Sequence, residues 1–411
     1  MAQRPLDLRE LVGVQRKSPA AALAVHLAGQ PRVRKGHGSD GHRGFSGAKS
    51  IFRCKSVAAS IVFRGTPGDQ SMTSISKRAL LRGAAVALAG LVGGTAAWAQ
   101  EKVKVGAYAS VSDAPLYIAM DKGYFKEQGL DVEIVKIDSG AVLTTLLSTG
   151  DLDASGGSPG AGVYNAVRQG VDFKIVADKG STLPGHGYFA FVVRSDLADK
   201  IKTAADLRGR TIGVTGYKRG ASSEVTIGKL LASQGLKESD VQLVNMSFGD
   251  IVAALGTKKI EVGVLIEPLV TQAEAKGIAK LWKRADTVYP NQQYGALMYG
   301  PGIIKRPEAA DKFMVAYLKG ARFYNDALSG KVPRDDLVQI LTRHTSVKDP
   351  ELYKKMAFPG IHPDGKLNTA GMAEDVKWWT ANGRMKEEVK LSDIVDASYA
   401  ERAKKTLDAS R

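Results

Sequence analysis

Apolar residues between 101 and 304 recur as short runs bounded by glycine-rich polar loops, and helix-spaced stretches lie between them. The pattern predicts a strand from Val103 and a helix over 114–128 with Leu116, Ile118, Ala119 and Met120 on its apolar side. A strand over 130–137, a short helix over 141–149, a glycine loop over 156–160, a helix over 161–169 and a strand over 173–177 follow. Residues 189–193 then read as an extended run leaving this unit. The logic repeats with a strand at 211–214, a helix from Ala221 stopped by Gly235, a strand at 241–244, a helix at 250–257 and a strand at 262–266. A second extended run covers 293–300. From Pro307 a long amphipathic helix runs to about Leu328, and the remainder to Arg411 reads as mostly helical, with Trp378 and Trp379 as packing residues. The expected fold class is α/β: two doubly wound lobes joined by two extended crossings around a cleft. Lobe 1 would take 100–191, lobe 2 192–293, and 294–411 would return to lobe 1.

The most informative stretch is 206–224, a β-branched strand, the glycine-bearing loop 215–220 and a helix opening at Ala221-Ser222-Ser223-Glu224. A strand, a flexible loop and a helix N-terminus bring free N–H groups and a positive dipole end to one point. The same arrangement occurs in many α/β loops whose serines merely cap a helix.

Charge changes the picture at one end only. The chain of 411 residues has a formal net charge of +16, but residues 1–100 hold 15 Lys+Arg and 4 Asp+Glu, a net of +11, which leaves +5 for the rest. Nucleic acid is therefore not an expected partner of the main body. Within the leader, Lys77, Arg78 and Arg82 precede a small-residue apolar run over 83–96 and the triplet Ala97-Trp98-Ala99. That order predicts a secretory signal peptide over 72–99, cleaved after Ala99. Residues 1–71, rich in Arg, Gly and Ser, are expected to be a non-native upstream extension or disordered, with translation starting at Met72. Cys54, the single cysteine, lies there, so the mature chain carries no disulfide and no thiolate chemistry. It is expected to be soluble and periplasmic.

An ordered set of pieces then carries a resemblance. These are Ala114-Pro115-Leu116-Tyr117-Ile118-Ala119 with Lys122-Gly123-Tyr124-Phe125, then Gly129-Leu130-Asp131-Val132, and Gly150-Asp151-Leu152-Asp153-Ala154. Asp206-Leu207-Arg208-Gly209-Arg210-Thr211-Ile212-Gly213-Val214 and Glu267-Pro268 complete it. Over 103–304 the chain resembles the solute-binding proteins of bacterial ABC importers, of the nitrate/sulfonate/taurine and pyrimidine-precursor type. The resemblance implies a type II periplasmic binding protein fold, a small-molecule solute held between the lobes and a membrane permease as partner. It also implies a monomer without cofactor and no catalysis. An enzyme of the thiamine-pyrimidine synthase kind is the competing reading, weakened by the missing cysteines.

Carried over position by position, the resemblance implies ligand contacts from Ser110, Ser112 and Asp113, from Ser158 and Pro159, from the loop 215–222, and from Glu267. Within that loop Thr215 is a contact candidate, Ser222 would hydrogen-bond ligand or simply cap the helix, Lys218 and Arg219 would clamp an anion, and Tyr217 would stack on a flat ligand, as would Phe248. His186, just before the first crossing, is a further contact candidate. Glu267 would receive an amine or cap the strand end. The Lys218/Arg219/Ser222 cluster favours a small organic anion, a sulfonate, taurine-like compound or aromatic carboxylate; a neutral or cationic nitrogen heterocycle is the alternative. His344 and His362 stand alone, and no metal site is expected.

Overall fold

The computed structural model describes residues 100–138, 140–387 and 389–410. The chain partitions into Met1–Gly90 and Leu91–Arg411, and the described residues all belong to the second unit. The upstream segment 1–71, the expected signal peptide over 72–99 and Cys54 lie outside the described residues.

Ten strands among the described residues form two five-stranded sheets. The first contains β1 (Glu101–Ala107), β2 (Leu130–Lys136), β3 (Ala154–Gly157), β4 (Lys174–Gly180) and β10 (Gly295–Tyr299) in the order β2-β1-β3-β10-β4. The second contains β5 (Phe189–Arg194), β6 (Thr211–Val214), β7 (Gln242–Asn245), β8 (Val262–Ile266) and β9 (Ala279–Arg284) in the order β7-β6-β8-β5-β9. In each sheet the fourth strand runs antiparallel to both neighbours. Those two strands are the crossing segments. β5 leaves β4 and inserts between β8 and β9, and β10 returns to insert between β3 and β4. The same order is thus built twice, and each sheet is completed by a strand delivered from the other.

The strands legible as apolar runs are buried on both faces, as helix-covered parallel sheets require: every residue of β8 is buried, as are five of the six in β5. The longer helices cover them. They are α1 (Ala114–Asp121), α2 (Gly140–Thr149), α3 (Ala161–Arg168), α4 (Ser222–Ala232), α5 (Phe248–Gly256) and α6 (Leu269–Ala275). Beyond the second crossing come α7 (Pro307–Leu328), α8 (Arg334–His344), α9 (Thr369–Ala381) and α10 (Ser398–Ala409). α7 packs Phe313, Met314 and Leu318 into the core of the first sheet with Val103, Val105 and Leu297. Trp379 of α9 is fully buried against Tyr164 of α3, while Trp378 crosses the face of Gly228 in α4. Among the described residues no helix is long and apolar enough to cross a membrane.

Three local expectations need correction. The helix over 114–128 is two pieces, α1 and the turn Tyr124–Glu127. β9 was not legible as a strand, since Lys280, Lys283 and Arg284 dilute its apolar content. The pattern predicts a loop at β3, because Ala-Ser-Gly-Gly lacks strand-forming side chains. All four of its residues are nevertheless buried at the centre of the sheet. Bulk is excluded there: a Cβ on Gly156 would stand 2.4 Å from Lys179 Cε, and one on Gly157 2.4 Å from Leu143 Cδ1.

Candidate functional site

The C-terminal ends of β1, β3 and β4 face those of β6 and β8, and the loops leaving them meet. On the first side, Ser110 caps a short turn at Val111–Asp113, its Oγ accepting from Ser112 N–H at 3.2 Å. Ser110 N–H donates to Asp113 Oδ2 at 2.9 Å. The turn aims Asp113 Oδ1 at Lys179 Nζ, 2.8 Å away at the end of β4, with both side chains almost wholly buried. Lys179 Nζ also donates to Ser112 Oγ at 2.6 Å. Its methylene chain crosses the bare face of Gly156, so the small residues of β3 are what let a lysine lie inside.

On the second side the loop after β6 is organised from within by Glu224. Its buried carboxylate accepts from the N–H groups of Lys218 at 2.8 Å and Gly220 at 2.7 Å, and from Arg384 Nε at 2.8 Å. Ser223 Oγ donates to the Thr215 carbonyl at 2.7 Å. The two sides are joined directly: Ser158 Oγ lies 2.8 Å from Ser222 Oγ and accepts from Ser222 N–H at 3.0 Å. Ala161 N–H donates to the Gly220 carbonyl at 2.8 Å, and Val111 N–H to the Glu267 carbonyl at 3.2 Å. Approach at this seam is close. A Cβ on Gly160 would stand 2.5 Å from the Gly220 carbonyl oxygen, and one on Gly220 2.2 Å from Ala161 Cβ.

Between the two sides lies a cavity of about 40 Å³, walled by Tyr108, Tyr188, Phe248 and Tyr294. Tyr108 and Phe248 meet edge to face at 6.2 Å, as do Tyr188 and Tyr294 at 5.7 Å. Burial pushes the phenols of Tyr108, Tyr188 and Tyr294 well above their ordinary range, so they stay neutral donors. Ser112, Ser158, Ser223, Thr215 and Lys179 supply the polar wall. Thr215 Oγ1 is buried and has no hydrogen-bond partner, which leaves one hydroxyl unsatisfied at the cavity wall. At roughly 10–15 Å³ per enclosed water, the cavity holds about three waters. An organic ligand therefore enters only if the two sides part.

Four of the sequence candidates line this cavity: Ser112, Ser158, Thr215 and Phe248. Ser222 is fully buried one bond behind it through Ser158, and Asp113 stands behind Lys179. Ser110 lines an adjoining outer chamber, and Pro159 is buried in the seam without facing the cavity. The other candidates point elsewhere. Lys218 and Arg219 are exposed, because Glu224 draws the loop's amides inward and turns those side chains out. The Tyr217 hydroxyl donates to Glu238, and its ring lies beside Lys218 and Arg384. His186 Nδ1 pairs with the Phe358 carbonyl at 3.0 Å. The Glu267 carboxylate is buried on Thr271 N–H and Oγ1 and beside Arg284, capping α6 rather than facing the cavity.

Lys179, Tyr108, Tyr188 and Tyr294 were missed in the sequence. Tyr188 and Tyr294 each stand one residue before a crossing strand, and that position was the available signal. No group of His, Cys, Asp and Glu among the described residues is arranged to hold a metal ion.

Comparison with known proteins fits this geometry. A putative binding protein of Brucella abortus is 24% identical over 295 residues, covering 69% of this chain and 86% of that protein. The riboflavin-binding protein RibY of Chloroflexus aurantiacus is 27% identical over 215 residues, 51% of this chain and 58% of its own. Among solved structures, the ligand-binding component of an ABC-type import system from Staphylococcus aureus superposes with a TM-score of 0.63 at 17% identity, over 74% of this chain and 99% of that one. The two sheets completed by exchanged strands are thus the periplasmic-binding-protein fold. The sequence model described as NMT1/THI5 like matches residues 111–326, from the Asp113 turn through both crossings and most of α7, and the chain belongs to that family.

Proposed function

We propose that this chain is the solute-capturing component of an ABC-type importer, exported to the periplasm, where it hands a small molecule to a membrane permease and performs no catalysis. The observation that carries this reading is the cavity itself, which lies between two sheets that exchange strands and has room for only a few waters as it stands. Hinged closure over a ligand excludes water and strengthens each polar contact inside.

The solute this cavity suits is a small planar heteroaromatic compound without net charge. Aromatic rings on several walls offer stacking and edge contacts, and Thr215, Ser112 and Ser158 offer hydrogen bonds. The one cationic side chain on the wall, Lys179, is already neutralised by Asp113. A buried anion would add a charge with no free counter-ion, which costs several kcal/mol. The riboflavin-binding relative supports a flat heterocycle as ligand type. One observation favours the organic anion instead: α2, α4 and α5 begin at the cavity, and their dipoles place partial positive charge there.

Thermal unfolding in the presence of size-matched neutral and anionic compounds separates the two. The panel is uracil and hypoxanthine against benzoate and benzenesulfonate. A ligand at 1,000 times its Kd stabilises the fold by about 4 kcal/mol, which raises Tm by several degrees. A shift with neutral rings alone is expected. A shift with anions alone replaces the ligand class, and turnover of a bound compound overturns the capture role.

A further inference from the structure

A second and larger space, about 500 Å³, lies outside the aromatic cavity and shares Tyr108, Phe248 and Ile266 with it. The edge-to-face pair of Tyr108 and Phe248 is the partition between them. The chemistry changes across that partition. Inside, rings dominate; outside, polar side chains arrive from three separate stretches, with Ser110 from the first sheet, Gln272 from α6 and Ser346 from the segment after α8. Around it Lys136 Nζ lies 3.8 Å from Asp138, and His344 Nε2 shares a hydrogen bond of 2.7 Å with Asp121, which also takes Arg343. Two side chains there have no hydrogen-bond partner among the described residues: the half-buried amide of Gln272 and, at the chamber's open rim, the exposed hydroxyl of Ser346. Unused neutral donors and acceptors, arranged beside an aromatic slot, match a hydroxylated chain rather than a phosphate or a second ring.

We propose that this outer chamber is a second subsite of the same ligand site, which holds a neutral polyhydroxylated tail carried by the ring, with Gln272 and Ser346 as its hydrogen-bonding residues. The proposal rests on the reading of the inner cavity as the seat of a planar heteroaromatic group. The tail passes between Tyr108 and Phe248, so closure grips the ligand at the junction of ring and tail.

The test is calorimetric titration of the full chain with uracil and uridine, and with hypoxanthine and inosine, each pair being one ring without and with a hydroxylated sugar. The same titrations are made on the Gln272→Ala/Ser346→Ala double variant, whose two sites lie outside the cores. In the unmodified protein at least one nucleoside is expected to bind about tenfold or more tightly than its base, roughly 1.4 kcal/mol. In the double variant that ratio is expected to fall below about threefold while the base binds as before. A nucleoside no tighter than its base, or an advantage that survives both substitutions, overturns the outer subsite and leaves the inner cavity reading in place. If neither bases nor nucleosides bind, the ring reading fails and the tail subsite with it.

Discussion

Two loops meet at the cavity, and each is pinned by a buried acid. Asp113 holds the Ser110 amide and the Lys179 ammonium; Glu224 holds the amides of Lys218 and Gly220 and the Arg384 guanidinium. The difference lies in where the cation sits. Lys179 is inside, on the cavity wall, whereas Arg384 comes from beyond α9, keeps some solvent contact and also binds Glu238. The first pair sets the charge at the cavity wall, and the second ties the loop after β6 to the C-terminal stretch. One device, a buried acid gathering backbone amides, serves recognition on one side and anchoring on the other.

Asp113→Asn should break the comparison most severely, since it leaves Lys179 charged and unpaired in the interior. We expect a loss of about 3–5 kcal/mol in urea unfolding. The double change Asp113→Asn/Lys179→Met should recover most of it; no recovery would mean that the pair is not the source of the loss.

Asp375 is another buried acid, this one without a cation in contact. Gln292 Nε2 donates to both its oxygens, at 3.2 and 3.0 Å, and Gln292 also bridges to Thr226 and the Ser222 carbonyl. Burial pushes its carboxyl from 3.8 up to about 7, against the opposing pull of Gln292, Tyr289 and the nearby Lys229. The native state therefore holds this proton more tightly than the unfolded chain. Its contribution to stability is complete below about pH 4 and drains away up to about pH 7, on the order of 4 kcal/mol at most. Asp375→Asn should flatten that part of the stability–pH curve and stabilise the protein at pH 8; an unchanged slope would place the titration elsewhere.

Glu224→Gln should cost less than the loss at Asp113, about 1–3 kcal/mol, because Arg384 keeps Glu238 and water. Hydrogen exchange should quicken at 216–220 more than at 108–113. Thr215→Val removes the unsatisfied hydroxyl at constant shape. We expect ligand affinity to fall by about 1–3 kcal/mol with unfolding unchanged, and equal affinity would show that the hydroxyl does not reach the ligand. At the smallest end, Lys218→Ala/Arg219→Ala should change affinity by less than about 0.5 kcal/mol. A larger loss would restore the anion clamp.

That last pair shows where the sequence stopped being legible. Crossings, sheets and the loops of Ser112, Ser158 and Thr215 could be read because apolar runs and glycine-bearing helix starts are local signals. The direction of Lys218 and Arg219 is decided by Glu224, five and six residues on, and no local rule states that an acid will claim the loop's amides. Lys179 was hidden for a related reason. Its neutral setting depends on Asp113, 66 positions earlier, and its space on the missing side chain of Gly156. β3 reads as loop since the feature that places it in a sheet, room for a neighbour's chain, appears only once the neighbour is present. The aromatic walls Tyr188 and Tyr294 lay within reach of the crossings but carried no mark separating them from core.

The seam at Gly160 and Gly220 has a practical side. Each glycine sits where the facing strand ends touch, so one methyl group at Gly160 is a doorstop: it meets a carbonyl oxygen, which cannot swing aside as a flexible side chain would. A protein wedged this way would keep its mouth ajar with every side chain of the cavity wall intact. Compared with its parent in small-angle scattering, it would turn the capture step into a visible change of outline and give a ready blank for a biosensor.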